Sequence, residues 1–75
     1  MESRVINPTN TYRTEVQVYI AKEWDDTTMV CEWYTVKTFS GSQSAIKDAK
    51  RYAKKLKGIG SKNPTMQELK ELNII

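Results

Sequence analysis

The feature of the sequence that most constrains the fold is a change in the spacing of apolar residues near Phe39. Before it, Val16, Val18 and Ile20 alternate with polar residues, which is typical of a half-buried strand. After it, apolar residues recur at the spacing of one helical face: Ala45, Ala49, Tyr52, Ala53 and Leu56. We therefore predict an α+β fold, in which an antiparallel β-hairpin or three-stranded meander packs on one amphipathic helix, with a short C-terminal helix.

The predicted elements belong to a single domain spanning residues 1–75. Ser40 or Ser42 is the expected N-cap of the first helix, and Gly58 follows its last apolar residue. Thr65 and Glu68 have the spacing of a capping box, which predicts the start of a second helix. The segment between the helices is rich in glycine and is expected to be a flexible joint. The strands are predicted at residues 3–7, 11–23 and 29–39, and the helices at 42–57 and 65–73.

The register of the hairpin determines which side chains face the helix. If residues 25–28 close the hairpin symmetrically, Trp24 opposes Met29 and Ile20 opposes Trp33. The core face would then consist of Val16, Val18, Ile20, Trp24, Met29, Cys31 and Trp33. The opposite face would be mostly polar, with an aromatic and aliphatic patch formed by Tyr19, Val30, Tyr34 and Val36. A short turn over residues 7–10 would join the first strand to this hairpin.

A chain of 75 residues can bury only a thin core, so we expect marginal stability or self-association, for example as a homodimer. Cys31 is the single cysteine, which excludes an intramolecular disulfide and indicates a reducing compartment. No apolar run reaches the length of a signal peptide or a transmembrane helix. The expected location is the cytoplasm, with no membrane partner.

The sequence offers little that points to catalysis. It contains no histidine, which is the commonest general base and metal ligand in proteins. Asp25 and Asp26 suit a solvent-exposed turn better than an acid–base pair, and Cys31 has no neighbouring base other than lysine. No glycine-rich phosphate loop or zinc-binding cysteine pattern is present. We expect a protein that is not an enzyme, with no catalytic residues, no metal and no cofactor.

Positive charge is concentrated in one segment of the chain. Residues 42–62 contain seven lysines and arginines against one carboxylate, Asp48, whereas residues 1–41 contain four cations against six carboxylates. A cationic helix face neutralises phosphates and releases their counterions, which favours nucleic acid as a partner. A solvated helix face is the simpler interpretation, because lysine also favours helix formation and solubility. The candidate nucleic-acid-binding residues are Lys47, Lys50, Arg51, Lys54 and Lys57.

The order strand–strand–helix, with Thr38-Phe39-Ser40-Gly41 before the helix, resembles the small DNA-binding domains of integrase arms and plant AP2 factors. That resemblance implies a sheet whose outer face reads a DNA groove. Those families have a basic face there, whereas Glu15, Glu23 and Glu32 occupy the corresponding face in the predicted register. The helix around Lys47-Asp48-Ala49-Lys50 is similar to the last helix of double-stranded-RNA-binding domains, but the sequence leaves no room for their first helix before the hairpin. We assign the chain to neither family.

A protein partner is the alternative to nucleic acid. The uncovered sheet face, with Tyr19, Val30, Tyr34 and Val36, has the composition of a protein interface, and an exposed strand edge can pair with another chain. This favours a small inhibitor or adaptor that docks on a host protein, as accessory proteins of bacteriophages do. The two hypotheses differ in what they predict for a duplex of random sequence. The nucleic-acid hypothesis requires the protein to bind it, and the protein-partner hypothesis does not.

Overall fold

A computed structural model describes residues 1–7, 12–23 and 29–75, with the side chain of Glu23 excepted. The fold is α+β, as predicted, with a three-stranded antiparallel sheet, one long helix and a short C-terminal helix. Each described end lies within two residues of its predicted position. Residues 8–10 of the turn predicted at 7–10 lie outside the described residues, as do the predicted turn at 25–28 and the predicted core residue Trp24. The elements are β1 (Ser3–Ile6), β2 (Arg13–Glu23), β3 (Met29–Ser40), α1 (Gln43–Leu56) and α2 (Met66–Glu71).

The strand order is β1-β2-β3, so β2 is central and pairs with both neighbours. On the β3 side, Ile20 lies opposite Glu32, where the symmetric hairpin placed Trp33, so the predicted register is wrong by one residue over residues 29–35. From Val16 opposite Lys37 to the end of β3, the pairs agree with the predicted register. The pair Glu23 and Met29 leaves five residues between the partners, one more than the predicted turn. Because side chains alternate along a strand, this shift of one residue exchanges the two faces of β3 over residues 29–35.

The exchange of faces alters the composition of the core. Met29 is 58% exposed, and Cys31 and Trp33 lie on the face of the sheet away from α1, so these three core predictions are wrong. Tyr34 occupies the helix side of β3 instead and packs against the core, and so does Phe39, which lies beyond the exchanged part of the strand. The core predictions for β2 are confirmed, because its alternation is strict: Val16, Val18 and Ile20 are all fully buried.

A β-bulge interrupts the pairing of β2 with β3. Val16 lies opposite Lys37, whereas its neighbour Gln17 lies opposite Thr35, which leaves Val36 as the extra residue. Val36 packs against the core although Lys37, the next residue, also reaches the helix side of the sheet. The alternation of side chains is therefore broken at this point of β3.

The N-cap of helix α1 is Ser42, whose Oγ accepts a hydrogen bond from the Ala45 amide at 3.2 Å. This satisfies one of the free amides of the first turn and settles the choice between the two candidate N-caps. The inward face of α1 is built from small side chains, so β1 approaches closely enough for the buried Ser3 hydroxyl to donate to the Ala53 carbonyl at 2.6 Å. Of the five residues predicted on this face, Ala49, Ala53 and Leu56 are buried, and Ala45 and Tyr52 are half-buried.

Helix α2 covers one part of the core through Leu69, which is fully buried. The Thr65 hydroxyl accepts from the Glu68 amide at 3.2 Å, which confirms the predicted cap. In a capping box the glutamate side chain would accept a hydrogen bond from the backbone amide of the N-cap residue. Here the Glu68 carboxylate accepts from the Ser61 hydroxyl at 2.8 Å instead. The cap and this bond hold the start of α2 against the preceding segment.

The segment between α1 and α2 is hydrogen-bonded to β2 at its C-terminal end. The Ala21 amide donates to the Pro64 carbonyl at 2.9 Å, and the Asn63 amide group donates to the Tyr19 carbonyl at 3.2 Å. Met1 is buried, and its ammonium group donates to the Ile59 carbonyl at 2.7 Å. The segment that was expected to be a flexible joint is therefore held in place by hydrogen bonds. Its C-terminal end lies beside β2, next to the residues of β2 that β1 does not reach.

Candidate nucleic-acid interface

The structure places the five predicted nucleic-acid-binding residues on the exposed side of α1. At 3.6 residues per turn they occupy an arc of roughly 160° together with Lys55, opposite the buried alanines and Leu56. Lys57 is the C-cap residue, and Lys54 and Lys55 lie in the last turn, where their charge is favourable to the helix dipole. We call this surface the cationic face, and it consists of Lys47, Lys50, Arg51, Lys54, Lys55 and Lys57, all of them exposed.

The cations of this face have no carboxylate partner within the described part of the chain. The ion pairs present there are Arg13 with Glu15 at 3.2 Å and Lys22 with Glu32 at 3.5 Å, and both lie on the sheet. Like charges on neighbouring turns of a helix repel one another, and the one carboxylate of the helix, Asp48, three residues before Arg51, offsets that repulsion only in part. An anionic ligand would relieve it.

A shallow groove of about 250 Å³ lies where α1 meets β3, and we call it the β3–α1 groove. The helix contributes four residues at the spacing i, i+3, i+4 and i+7, which places them along one stripe. Two of the four, Arg51 and Lys55, also belong to the cationic face, so the groove and the face are continuous. The lining residues are Lys37, Phe39, Asp48, Arg51, Tyr52 and Lys55.

Two aromatic rings form the apolar part of the groove. The rings of Phe39 and Tyr52 have their centroids 6.3 Å apart and are inclined by 57°. The Lys37 ammonium lies 5.2 Å from the first centroid and 5.0 Å from the second, within the range of cation–π attraction. The groove therefore combines three cations, two rings and one carboxylate in a small space.

Sequence reasoning missed two of the cations at this site. Lys55 was not among the predicted nucleic-acid-binding residues, although it follows Arg51 by four residues. That helical spacing was the signal that could have found it. Lys37 also had a signal, because the symmetric hairpin register places it opposite Val16 on the helix side of the sheet, as the structure does.

The alternative protein-binding patch does not exist as one surface. Tyr19 lies opposite Trp33 on the face away from α1, and Tyr34 lies opposite Val18 on the helix side, so the expected pairing of the two tyrosines is wrong. Val36 packs against the core, and Val30, on the helix side near the start of β3, is 37% exposed. The one-residue shift in register separates Tyr19 from the other three residues.

The open face of the sheet carries a different cluster, centred on Trp33. The Tyr19 ring lies 4.9 Å from the Trp33 ring, and the Arg4 guanidinium lies 4.1 Å above it. Arg4 Nε also donates to Gln17 Oε1 at 2.8 Å, and the Thr35 hydroxyl links Gln17 to Glu15. This face is therefore organised across all three strands by stacking and hydrogen bonds.

The described residues contain no group of three or more histidine, cysteine, aspartate or glutamate side chains placed to hold a metal ion. Neither helix in the described part of the chain has the length and hydropathy needed to cross a membrane. Comparison with known protein families, with curated proteins and with solved structures found no match to this chain.

Proposed function

We propose that this protein is a small, non-enzymatic regulatory module that associates with nucleic acid by contacting the phosphate backbone through the cationic face of α1. The observation that carries the proposal is that six exposed cations share one side of a helix without an ion-pair partner among the described residues. Clustered lysine and arginine gain affinity for a polyanion chiefly by releasing condensed counterions. Such contacts fix position on the backbone and do not read sequence.

The number of phosphate contacts sets the dependence of binding on salt. If the five residues Lys47, Lys50, Arg51, Lys54 and Lys57 each neutralise one phosphate of a duplex, the logarithm of the association constant should fall with the logarithm of salt concentration with a slope of about −4.5. We expect fluorescence anisotropy with a labelled duplex of random sequence to show this steep dependence.

Reversal of charge on the cationic face provides the matched test. Lys50→Glu combined with Lys54→Glu should weaken duplex binding by at least about tenfold at low salt, because two contacts become repulsive. Lys62→Glu combined with Lys70→Glu changes the net charge equally at exposed positions outside α1, and it should have a much smaller effect. Equal losses from the two double variants would show that net charge, and not the helix, attracts the duplex. Circular dichroism should show the same fold in both.

The alternative function is docking on a host protein, as an inhibitor or adaptor, and it is supported by the cluster around Trp33. Aromatic and arginine side chains are favoured at the centres of protein interfaces, and Trp33, Tyr19 and Arg4 lie together on a sheet face that no described element covers. If the unmodified protein shows no affinity for duplex or single-stranded nucleic acid at low salt, this alternative replaces the first proposal. Either function suits a reducing, cytoplasmic setting, which we infer from the single cysteine.

A further inference from the structure

We propose that the β3–α1 groove accepts one unpaired nucleotide, so that single-stranded nucleic acid is the preferred ligand of this protein. The inference rests on the proposed function, which requires only phosphate contacts and makes no distinction between single and double strands. The observation that favours a single strand is the pair of aromatic rings, Phe39 and Tyr52, that lies directly beside the cations of the groove.

The charges and the size of the groove both suit a single nucleotide. Lys37, Arg51 and Lys55 outnumber the one carboxylate, Asp48, so the groove attracts an anion. Its volume of about 250 Å³ is below the usual range for small-molecule pockets. This space suits a single base with its phosphate and is too small to admit a double helix. A duplex would reach the outer cations but would leave the floor of the groove empty.

The rings provide contacts that only an unpaired base can use. Every base has a π face that stacks on aromatic side chains, which is the general basis of binding to single strands. In the free protein the Lys37 ammonium lies about 5 Å from both rings, and a base that stacked there would displace it towards the adjoining phosphate. The lysine would thereby exchange one favourable interaction for another on the same ligand.

The groove is continuous with the rest of the cationic face, which defines a path for the strand. Arg51 and Lys55 line the groove, and Lys47 and Lys54 lie next to them on α1. A strand with one base in the groove can therefore place its neighbouring phosphates on the exposed lysines. The carboxylate of Asp48 disfavours a phosphate at its own end of the groove and can accept a hydrogen bond from an amino group of the base.

The test compares a labelled single strand with the duplex of the same sequence by fluorescence anisotropy. The unmodified protein should bind the single strand more tightly. Tyr52→Leu, which retains apolar bulk at a half-buried position, should weaken single-strand binding by about 5- to 150-fold, the usual contribution of one stacked base. It should change duplex binding less than about twofold, because phosphate contacts remain. Tyr12→Leu removes an exposed tyrosine that does not line the groove, and it should change neither affinity.

A second measurement needs no variant and remains decisive if Tyr52→Leu does not fold. A strand of abasic residues retains every phosphate but has no base, so the unmodified protein should bind it about as weakly as the duplex. Equal affinity for the abasic and normal strands, with steep salt dependence, would overturn the groove proposal and leave the phosphate-binding function intact. Tight binding of an acidic peptide in place of the strand would also overturn it. Failure to bind any of the nucleic acids would overturn both proposals.

Discussion

Gly60 adopts a backbone conformation that other residues rarely adopt, at the point where the connection between α1 and α2 passes over Met1. Its φ is +68°, and a Cβ at this position would lie only 2.9 Å from the Met1 Cε. The methionine side chain can shift, so the steric cost is modest, whereas the left-handed conformation remains strained for any residue with a Cβ.

We expect Gly60→Ala to lower the free energy of unfolding by about 1–2 kcal/mol, chiefly through this backbone strain. Gly58→Ala is the matched control, because its φ is not positive and the nearest atom to its Cβ would be the Lys55 carbonyl oxygen at an ordinary 3.7 Å. Urea unfolding of the two variants provides the measurement. A loss of stability from Gly58→Ala as large as that from Gly60→Ala would contradict this explanation.

At the scale of elements, the position of β3 against β2 decides which surfaces the molecule presents. Strand β3 carries apolar side chains on both faces, so its own sequence does not select a register. With Glu23 opposite Met29, the partly exposed Cys31 lies opposite Ala21 on the open face. In the symmetric register the same thiol would have faced the core.

The accessibility of Cys31 therefore tests the register. In the native protein we expect a disulfide reagent such as dithionitrobenzoate to modify this thiol without prior unfolding, at a rate that low concentrations of urea barely change. Leu56→Ala lowers stability without touching Cys31 and should likewise leave the rate nearly unchanged. Protection of the thiol until the protein unfolds, with a rate that follows stability, would support the symmetric register instead.

At the scale of the whole molecule, one small core joins every element. The side chains of β2, α1 and α2 meet in a single cluster that also includes Met1, and Leu69 is the fully buried contribution of α2. A domain of this size has a total stability of only about 4–11 kcal/mol, so the loss of one buried leucine is a large fraction of it.

We expect Leu69→Ala to cost about 2–5 kcal/mol, through lost burial and the cavity left behind. The loss should appear as a lower midpoint of one cooperative transition, because the same cluster supports both helices and the sheet. Leu72→Ala changes a side chain that is 42% exposed and should cost less than about 1 kcal/mol. If α2 instead unfolded in a first transition in Leu69→Ala and the sheet unfolded in a second one, α2 would be only loosely attached to the core.

The sequence predicted the elements well because each is encoded by a local pattern. The strict alternation of Val16, Val18 and Ile20 and the helical spacing from Ala45 to Leu56 each require only nearby residues, and the caps at Ser42 and Thr65 are equally local. The exposed lysines of α1 follow from the same periodicity. These predictions of fold class and of the exposed helix face needed no knowledge of how the elements pack.

The groove and the open-face cluster required the tertiary structure. The side chains of Phe39 and Tyr52 meet only because the strand–helix packing brings them together, and Lys37 joins them because the bulge returns the end of β3 to the register of the symmetric hairpin. Trp33 lies under Arg4 because the register of β3 differs by one residue from the symmetric hairpin. The period of a strand determines which residues share a face, but the partner strand and the core decide which of the two faces is buried.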